Sequence, residues 1–205
     1  LGWGGVEIYR TAPPIPDQYV DTTGQVLLTE EDILDGQSAW QRTGGQQLGS
    51  VLGHGAYQAP DWTADWLPRE LLDIRSEELY GSNFSDASDD QKAVLNAQLK
   101  KEYRGSVVND NEQVVLSDTR IAAINQIAPY YMSLYGDDPA LQESRENFAM
   151  KNNTITDVAD RQKLTNFFFW TAWIASAERP GTDATYTNNW PHEPLIDNVP
   201  TSENI

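Results

Sequence analysis

The sequence contains no cysteine and only two histidines, and both shortages narrow its chemistry. Without thiols the chain cannot form a disulfide framework, a thiolate zinc or iron–sulfur site, or a cysteine nucleophile. A covalent haem attached through a C-x-x-C-H motif is excluded for the same reason. The histidines, His54 and His192, are far apart in the sequence, which argues against a multi-histidine metal centre.

Basic residues are also few. The chain has 14 Lys and Arg residues but 31 Asp and Glu residues, which gives a net charge of -17 and a sequence pI near 4.3. A phosphate backbone or an anionic lipid surface would repel such a chain. We therefore expect no nucleic-acid partner.

Long hydrophobic runs are absent as well. The longest covers the nine residues Phe167 to Ala175, whereas a spanning helix needs about twenty. The 205 residues, at 23.0 kDa, are enough for one domain with a real core. The chain opens at Leu1 without a basic-then-apolar leader, which favours an excised or processed piece of a longer protein.

The hydrophobic spacing predicts a mainly α fold with about five helices. Each begins at a capping residue, and the predicted spans are Thr29 to Arg42, Asp61 to Ile74, Ser88 to Gly105, Ser117 to Gly136 and Asp157 to Glu178. Pro68 predicts that the second helix either begins at Leu67 or kinks there, and Pro129 predicts a bend in the fourth. Residues 137–156 read as a polar connection.

The remaining segments predict one or two short β-hairpins, at residues 19–28 and 107–116, where β-prone runs flank polar turns. The chain then divides into three parts. Residues 1–28 form an extended arm and a short hairpin, residues 29–180 the helical domain, and residues 181–205 a second, Pro- and Asn-rich extended arm.

Three groups of carboxylates could take part in catalysis or in metal binding. Paired acids in unequal environments can act as a general acid and base, but Glu30, Glu31, Asp32 and Asp35 occupy a first helical turn, where acids are favoured by the helix dipole. The other two groups lack the glycine and the terminal Glu of a calcium-binding EF-hand loop. One consists of Asp86, Asp89 and Asp90, and the other of Asp137 and Asp138. We interpret all three groups as solvated caps.

Four further features have simple structural interpretations. His54 lies between two glycines and could bind a metal or shuttle a proton, but we favour its interpretation as a surface-loop histidine without a role. The aromatic band Phe167 to Trp173 is typical of core packing. The N-glycosylation patterns at Asn83 and Asn152 are short enough to occur by chance. The glycine-rich loop from Gly49 to Gly55 lacks the Lys-Ser/Thr pair of a phosphate loop.

One loop carries a more specific signal. Gly36-Gln37-x-x-Trp40, followed by Gly49-Ser-Val-Leu-Gly-His-Gly-Ala-Tyr-Gln-Ala-Pro-Asp61, resembles the haem-attachment helix and following loop of the cytochrome c subunit of bacterial nitric-oxide reductases. In that family a C-x-x-C-H precedes the loop. Its two cysteines and histidine fall here on Gly45, Leu48 and Gly49, so all three haem-attaching residues are replaced.

A second segment strengthens the resemblance. Three stretches near the end of the chain are similar to the segment that leads into the second membrane helix of single-chain, quinol-dependent nitric-oxide reductases. They are Phe168 to Trp173, Arg179-Pro180-Gly181 and Tyr186 to Pro191. In those enzymes the cytochrome-like part is fused to the catalytic subunit and has lost its haem. The similarity runs from about Ala12 to Asn198.

This resemblance implies a cytochrome c-like helical domain without haem, on the periplasmic side of the bacterial inner membrane. The parent enzyme would convert two NO to N2O with electrons from quinol, using haem b, haem b3 and a non-haem iron on transmembrane helices that lie outside this chain. The domain would be non-catalytic and would dock on that transmembrane catalytic portion, to which residues 181–205 would lead.

The resemblance also implies a calcium contact. In the family this loop contributes to a calcium ion that bridges haem propionates, and the contributing positions correspond to Gly55 and Tyr57 here. The family's loop glutamate is replaced by His54.

Two other function classes stay open. A freestanding acidic helical module of the cell envelope could recognise a cationic protein. A carboxylate-dependent hydrolase would require acids such as Glu31 and Asp35 to converge in a pocket.

Overall fold

A computed structural model describes residues 12–55, 59–75 and 87–200. Within them the chain forms six α-helices, three short strands and several single helical turns. The helices are α1 (Glu30–Arg42), α2 (Trp62–Ile74), α3 (Asp89–Arg104), α4 (Asp118–Leu134), α5 (Gln142–Asn147) and α6 (Val158–Ser176). The mainly α prediction is confirmed. Among the described residues, none of the helices combines the length and the apolar character that crossing a bilayer requires.

Side-chain caps explain why the helices begin where they do. Thr29 and Asp32 form a capping box at α1, and Ser88 and Gln91 form another at α3. Ser117 accepts from the amide of Arg120 at the start of α4. These starts follow directly from the sequence, and the spans predicted for α1, α3 and α4 are confirmed.

Helix α6 is the centre of the fold. It packs against α1, α2 and α4, and every residue from Phe167 to Ser176 is buried. Such a helix is apolar on all sides because it meets neighbours in every direction. The band Phe167 to Trp173 is therefore core, as its pattern predicted.

The three strands form one small sheet in the order β2-β1-β3. Strands β1 (Gln18–Val20) and β2 (Val26–Thr29) pair antiparallel, which confirms the first predicted hairpin. The second predicted hairpin, at residues 107–116, is wrong. Strand β3 (Gln113–Val115) pairs in parallel with β1, and Gln113 Nε2 donates to Gln18 Oε1 at 2.9 Å.

Two other local predictions change. Helix α2 begins at Trp62, so the alternative start at Leu67 is wrong, because the Asp61 carboxylate caps the amides of Thr63 and Ala64. The polar connection 137–156 contains α5 and a single helical turn at Pro139–Leu141. Near the C-terminus, another single turn at Pro194–Ile196 packs on α3.

The first testable prediction concerns the close crossing of α1 and α6 at Gly36. A Cβ at Gly36 of α1 would lie 2.3 Å from the carbonyl oxygen of Lys163 in α6, which cannot move without shifting the helix. We expect Gly36→Ala to lower the free energy of unfolding by about 1–3 kcal/mol despite alanine's better helix propensity. Chemical denaturation measures this change. Ser38→Ala, at an exposed position of the same helix, is the control and should be neutral or slightly stabilising; equal effects of the two variants would contradict the prediction.

Candidate functional site

The loop between α1 and α2 contains the three positions at which the resemblance places haem attachment. Gly45 begins a single helical turn, Gly45–Gln47, and Leu48 follows that turn. Gly49 is buried and has a φ of +122°, a backbone conformation that side chains strongly disfavour. None of these residues supplies a sulfur or an imidazole.

The Trp62 indole fills the space beside Gly49. A Cβ built on Gly49 would lie 2.1 Å from Trp62 Nε1 and 2.4 Å from Cε2. The same Nε1 donates to the carbonyl oxygen of Leu48 at 3.0 Å, and Trp40 Nε1 donates to the carbonyl oxygen of Gly49 at 3.1 Å. Two indoles thus hold the backbone at the position where the family pattern has histidine, and a histidine side chain there would collide with Trp62.

Aromatic rings surround Trp62 on its other sides, and it is fully buried. It stacks on Phe168, with ring centroids 5.6 Å apart and an interplanar angle of 26°. Tyr131 and Phe148 approach its ring edge-on, and Tyr135 packs at a tilt. Such pairs stabilise a core beyond the area they bury. The space next to the attachment positions is therefore filled with protein, and the residues present do not fit a covalently bound haem.

Asp61 connects the loop to the start of α2. One carboxylate oxygen caps the helix, while the other accepts from Ser50 Oγ at 2.7 Å and from the amide of Gly53 at 2.9 Å. The amide of Leu52 donates to Thr63 Oγ1. Farther along, Gly53 lies against the Trp190 ring of the C-terminal segment. Residues 48–53 are thereby fixed to both helices and to that segment.

A family model for the NorB cytochrome c-like domain of nitric oxide reductase matches residues 16–192. The chain belongs to this family. A search of curated proteins finds no match. The family predicted from the α1–α2 loop and from the segment between Phe168 and Pro191 is thus confirmed over most of the chain, and the chain is a domain of the NorB type. Its parent is accordingly an oxidoreductase.

The residues predicted for calcium fall at the end of this loop. Gly55 is exposed and has a φ of +75°, and no atom of the described residues lies within 4 Å of its Cβ position apart from its chain neighbours, while Tyr57 lies outside those residues. His54 is exposed beside Gly55. Within the described parts of this NorB-type domain, no cluster of three or more His, Asp or Glu side chains could hold a metal ion.

The other predicted carboxylates do not converge. Asp32 completes the capping box of α1, and Asp35 pairs with Lys163, which lowers the pKa of this carboxyl through a hydrogen bond and charge attraction. Asp138 caps a helical turn, and Asp137 accepts from Asn153. Glu30, Glu31, Asp89 and Asp90 lie in first helical turns, as expected for caps, whereas Asp86 and Asn83 fall outside the described residues. Asn152 accepts from Arg145 Nε.

Sequence reasoning missed a buried ion pair. Glu70 of α2 and Arg120 of α4 are both fully buried, with Arg120 Nε 2.7 Å from Glu70 Oε1. Glu70 also accepts from Tyr103 OH at 2.8 Å and from Trp66 Nε1 at 2.9 Å. Burial and the Glu70 charge raise the pKa of Tyr103 well above its usual value. Burial is the largest influence on the pKa of Arg120 and acts to lower it, but the Glu70 charge and hydrogen bond, together with the smaller effects of Tyr103 and Glu102, raise the pKa above its usual value.

A second buried arginine, Arg104, fastens the C-terminal segment of the domain to α3. Its Nε donates to Glu178, and Nη1 donates to Asn189 Oδ1 at 2.9 Å and Asn198 Oδ1 at 3.1 Å. Nη2 contacts the carbonyl oxygen of Asp183. The sequence offers no signal for this arrangement, because the partners lie 74 to 94 residues away.

The Gly49–Trp62 contact yields a stability prediction. Gly49→Ala combines a disfavoured φ with a collision against a fully buried indole, so we expect the free energy of unfolding to fall by at least about 3 kcal/mol. Gly24→Ala is the matched control, since Gly24 has a φ of +88° and no atom of the described part of the chain lies within 4 Å of its Cβ position; a loss of about 1–2 kcal/mol is expected there. Urea denaturation compares the two, and similar losses would show that Trp62 does not restrict position 49.

Proposed function

We propose that this domain is a haem-free, non-catalytic cover of a quinol-dependent nitric-oxide reductase on the periplasmic side of the bacterial inner membrane. Its work is to dock on the transmembrane catalytic portion of the same polypeptide. The catalytic portion would carry haem b, haem b3 and a non-haem iron, and would reduce two NO to N2O. The isolated domain would be inactive.

This proposal rests on the observation that protein side chains fill the region in which haem would be attached. Gly45, Leu48 and Gly49 offer no thioether sulfur and no axial imidazole, and the Trp62 indole lies where a side chain at position 49 would project. A cytochrome that had merely lost its attachment residues would leave a cavity, which is costly to keep empty. Here the surroundings are packed aromatic rings, which supports a structural role for the domain.

The electron source follows from the same observation. A domain without redox groups cannot pass electrons from a periplasmic carrier to the membrane. A quinol, by contrast, can deliver its electrons from within the bilayer, so that a periplasmic haem becomes dispensable. This supports the quinol-dependent, single-chain class over the class that carries a cytochrome c subunit.

The tip of the α1–α2 loop is the docking surface that we propose. Gly53, His54 and Gly55 are all exposed, whereas the adjoining residues 49–51 are buried and fixed by Trp40, Trp62 and Asp61. A rigid base with an exposed tip suits contact with a partner. A backbone carbonyl at Gly55 and the phenol of Tyr57 would then contribute to a calcium ion, since calcium prefers oxygen ligands.

The electron source is tested on the full-length protein encoded by the reading frame. We expect steady NO consumption with a reduced quinol analogue and none with reduced cytochrome c. The purified 205-residue chain should show no Soret band and no covalent haem after acid-acetone extraction. Turnover driven by reduced cytochrome c, or covalent haem in the 205-residue chain, would overturn the proposal.

Docking is tested with a single introduced thiol, which the cysteine-free domain makes unambiguous. His54→Cys should react rapidly with a maleimide in the 205-residue chain and slowly in the full-length protein, as followed by mass spectrometry of the labelled peptide. Val94→Cys is the reference, because Val94 is 56 % exposed on α3, away from the loop in sequence. Equal reactivity of position 54 in both proteins would exclude the loop as the docking surface.

A further inference from the structure

Among the buried hydrogen-bond donors that have no acceptor within the described residues, those of Arg120 and Ser106 lie at one place outside the α1–α2 loop. Neither Nη1 nor Nη2 of Arg120 donates to any atom of the described residues, although the side chain is only 1 % exposed. The hydroxyl of Ser106, also buried, has no partner within the same residues. Buried polar groups are nearly always paired, because leaving one unpaired costs free energy.

The ion-pair partner of Arg120 does not supply the missing acceptor. Glu70 accepts from Trp66, Tyr103 and Arg120 Nε, and neither Nη1 nor Nη2 donates to it. The guanidinium also lies over the Tyr103 ring, 4.1 Å from its centroid. Arg120 thus keeps two Nη groups without an acceptor among the described residues, and the planar pair of N–H donors that they present matches a carboxylate.

Arg120 and Ser106 line the same pocket. It has a volume of about 370 Å³ and lies between the end of α3, strand β3 and the start of α4. Gly105 and Leu116 contribute to its wall, and Lys101 adds a second cation. The N-cap Ser117 is part of the lining, so the positive end of the α4 dipole adds to the attraction for an anion.

The pocket also contains one acid, and this limits the charge of a ligand. Glu102 lines the wall and accepts from the Ser117 hydroxyl, without a hydrogen bond to Arg120 among the described contacts. With Glu70 balancing Arg120, the remaining charges are one positive at Lys101 and one negative at Glu102. A dianion would meet both Glu102 and the net charge of -17, so a monoanion fits best.

We propose that this pocket binds a small monocarboxylate. Its carboxylate accepts from Arg120 Nη1 and Nη2 and from the Ser106 hydroxyl, with Lys101 at the rim. This site goes beyond the role in nitric-oxide reduction and stands or falls independently of it.

The test uses acetate as the probe. Sodium acetate is titrated into the isotopically labelled chain at constant ionic strength, with chloride as the balancing anion, and backbone amide shifts are followed by NMR. We expect a saturable shift at Ser106 and Leu116, a much weaker response to acetamide, which lacks the charge, and a weaker response to phosphate. Without a saturable acetate shift, or with acetamide binding as tightly as acetate, the site is not a carboxylate site.

Variants at Ser106 and at Lys101 on the rim separate the contributions of these two side chains to binding. Ser106→Ala removes an unpaired hydroxyl and should weaken acetate binding about fivefold. Lys101→Gln should weaken it about threefold, whereas Lys100→Gln, which removes the same charge from a side chain paired with Asp197, should leave it unchanged. Arg120→Lys should abolish binding if it folds, and the rim variants decide the question if it does not.

Glu102→Gln tests whether the pocket prefers a negatively charged ligand. It removes the competing charge while keeping an acceptor for Ser117, so acetate should bind about threefold more tightly. Weaker binding in this variant, or identical effects of Lys101→Gln and Lys100→Gln, would overturn the proposal.

Discussion

The hydrogen bond from the Trp62 indole to the backbone of Leu48 is the contact on which the rest of this domain depends. A buried indole N–H needs an acceptor, and a loop carbonyl supplies it only if the loop approaches closely. That approach requires glycine at position 49. Trp62 in turn stacks on Phe168 of α6, so one side chain joins the loop, α2 and the central helix. A domain of the cytochrome c-like type is thereby held together by aromatic packing beside Gly45, Leu48 and Gly49, the positions to which the sequence resemblance assigns haem attachment.

Charge is distributed unevenly between the surface and the interior. The chain carries a net charge of -17, yet the cationic side chains of Arg104 and Arg120 are almost completely buried. Each joins segments that are distant in the sequence: Arg120 connects α4 to α2, and Arg104 connects α3 to the C-terminal segment. Buried pairs of this kind add little net stability over apolar packing, but losing one partner is costly. They therefore favour one arrangement of the helices over alternatives.

The sequence predicted features that are encoded locally. Thr29, Ser88 and Ser117 indicated where three helices begin, because a cap acts on amides two or three residues away. The α1–α2 loop and the segment from Phe168 to Pro191 together indicated the family, each through a pattern of nearly consecutive residues. Features that depend on distant partners were not predictable. The strand at 113–115 looked like half of a local hairpin, whereas its partner is β1, and Glu70 and Arg120 gave no sign of pairing across 50 residues.

The parallel pairing of β1 with β3 has a consequence for how the domain is made. Gln18 meets Gln113 across 95 residues, and α1, α2 and α3 lie between the two strands in the sequence. Strand β1 can pair with β2 early, but its pairing with β3 can form during synthesis only after about half of the chain has been made. Closing so long a loop costs entropy before any contact repays it. Assembly of this sheet is accordingly expected late in folding, after the local helices have formed.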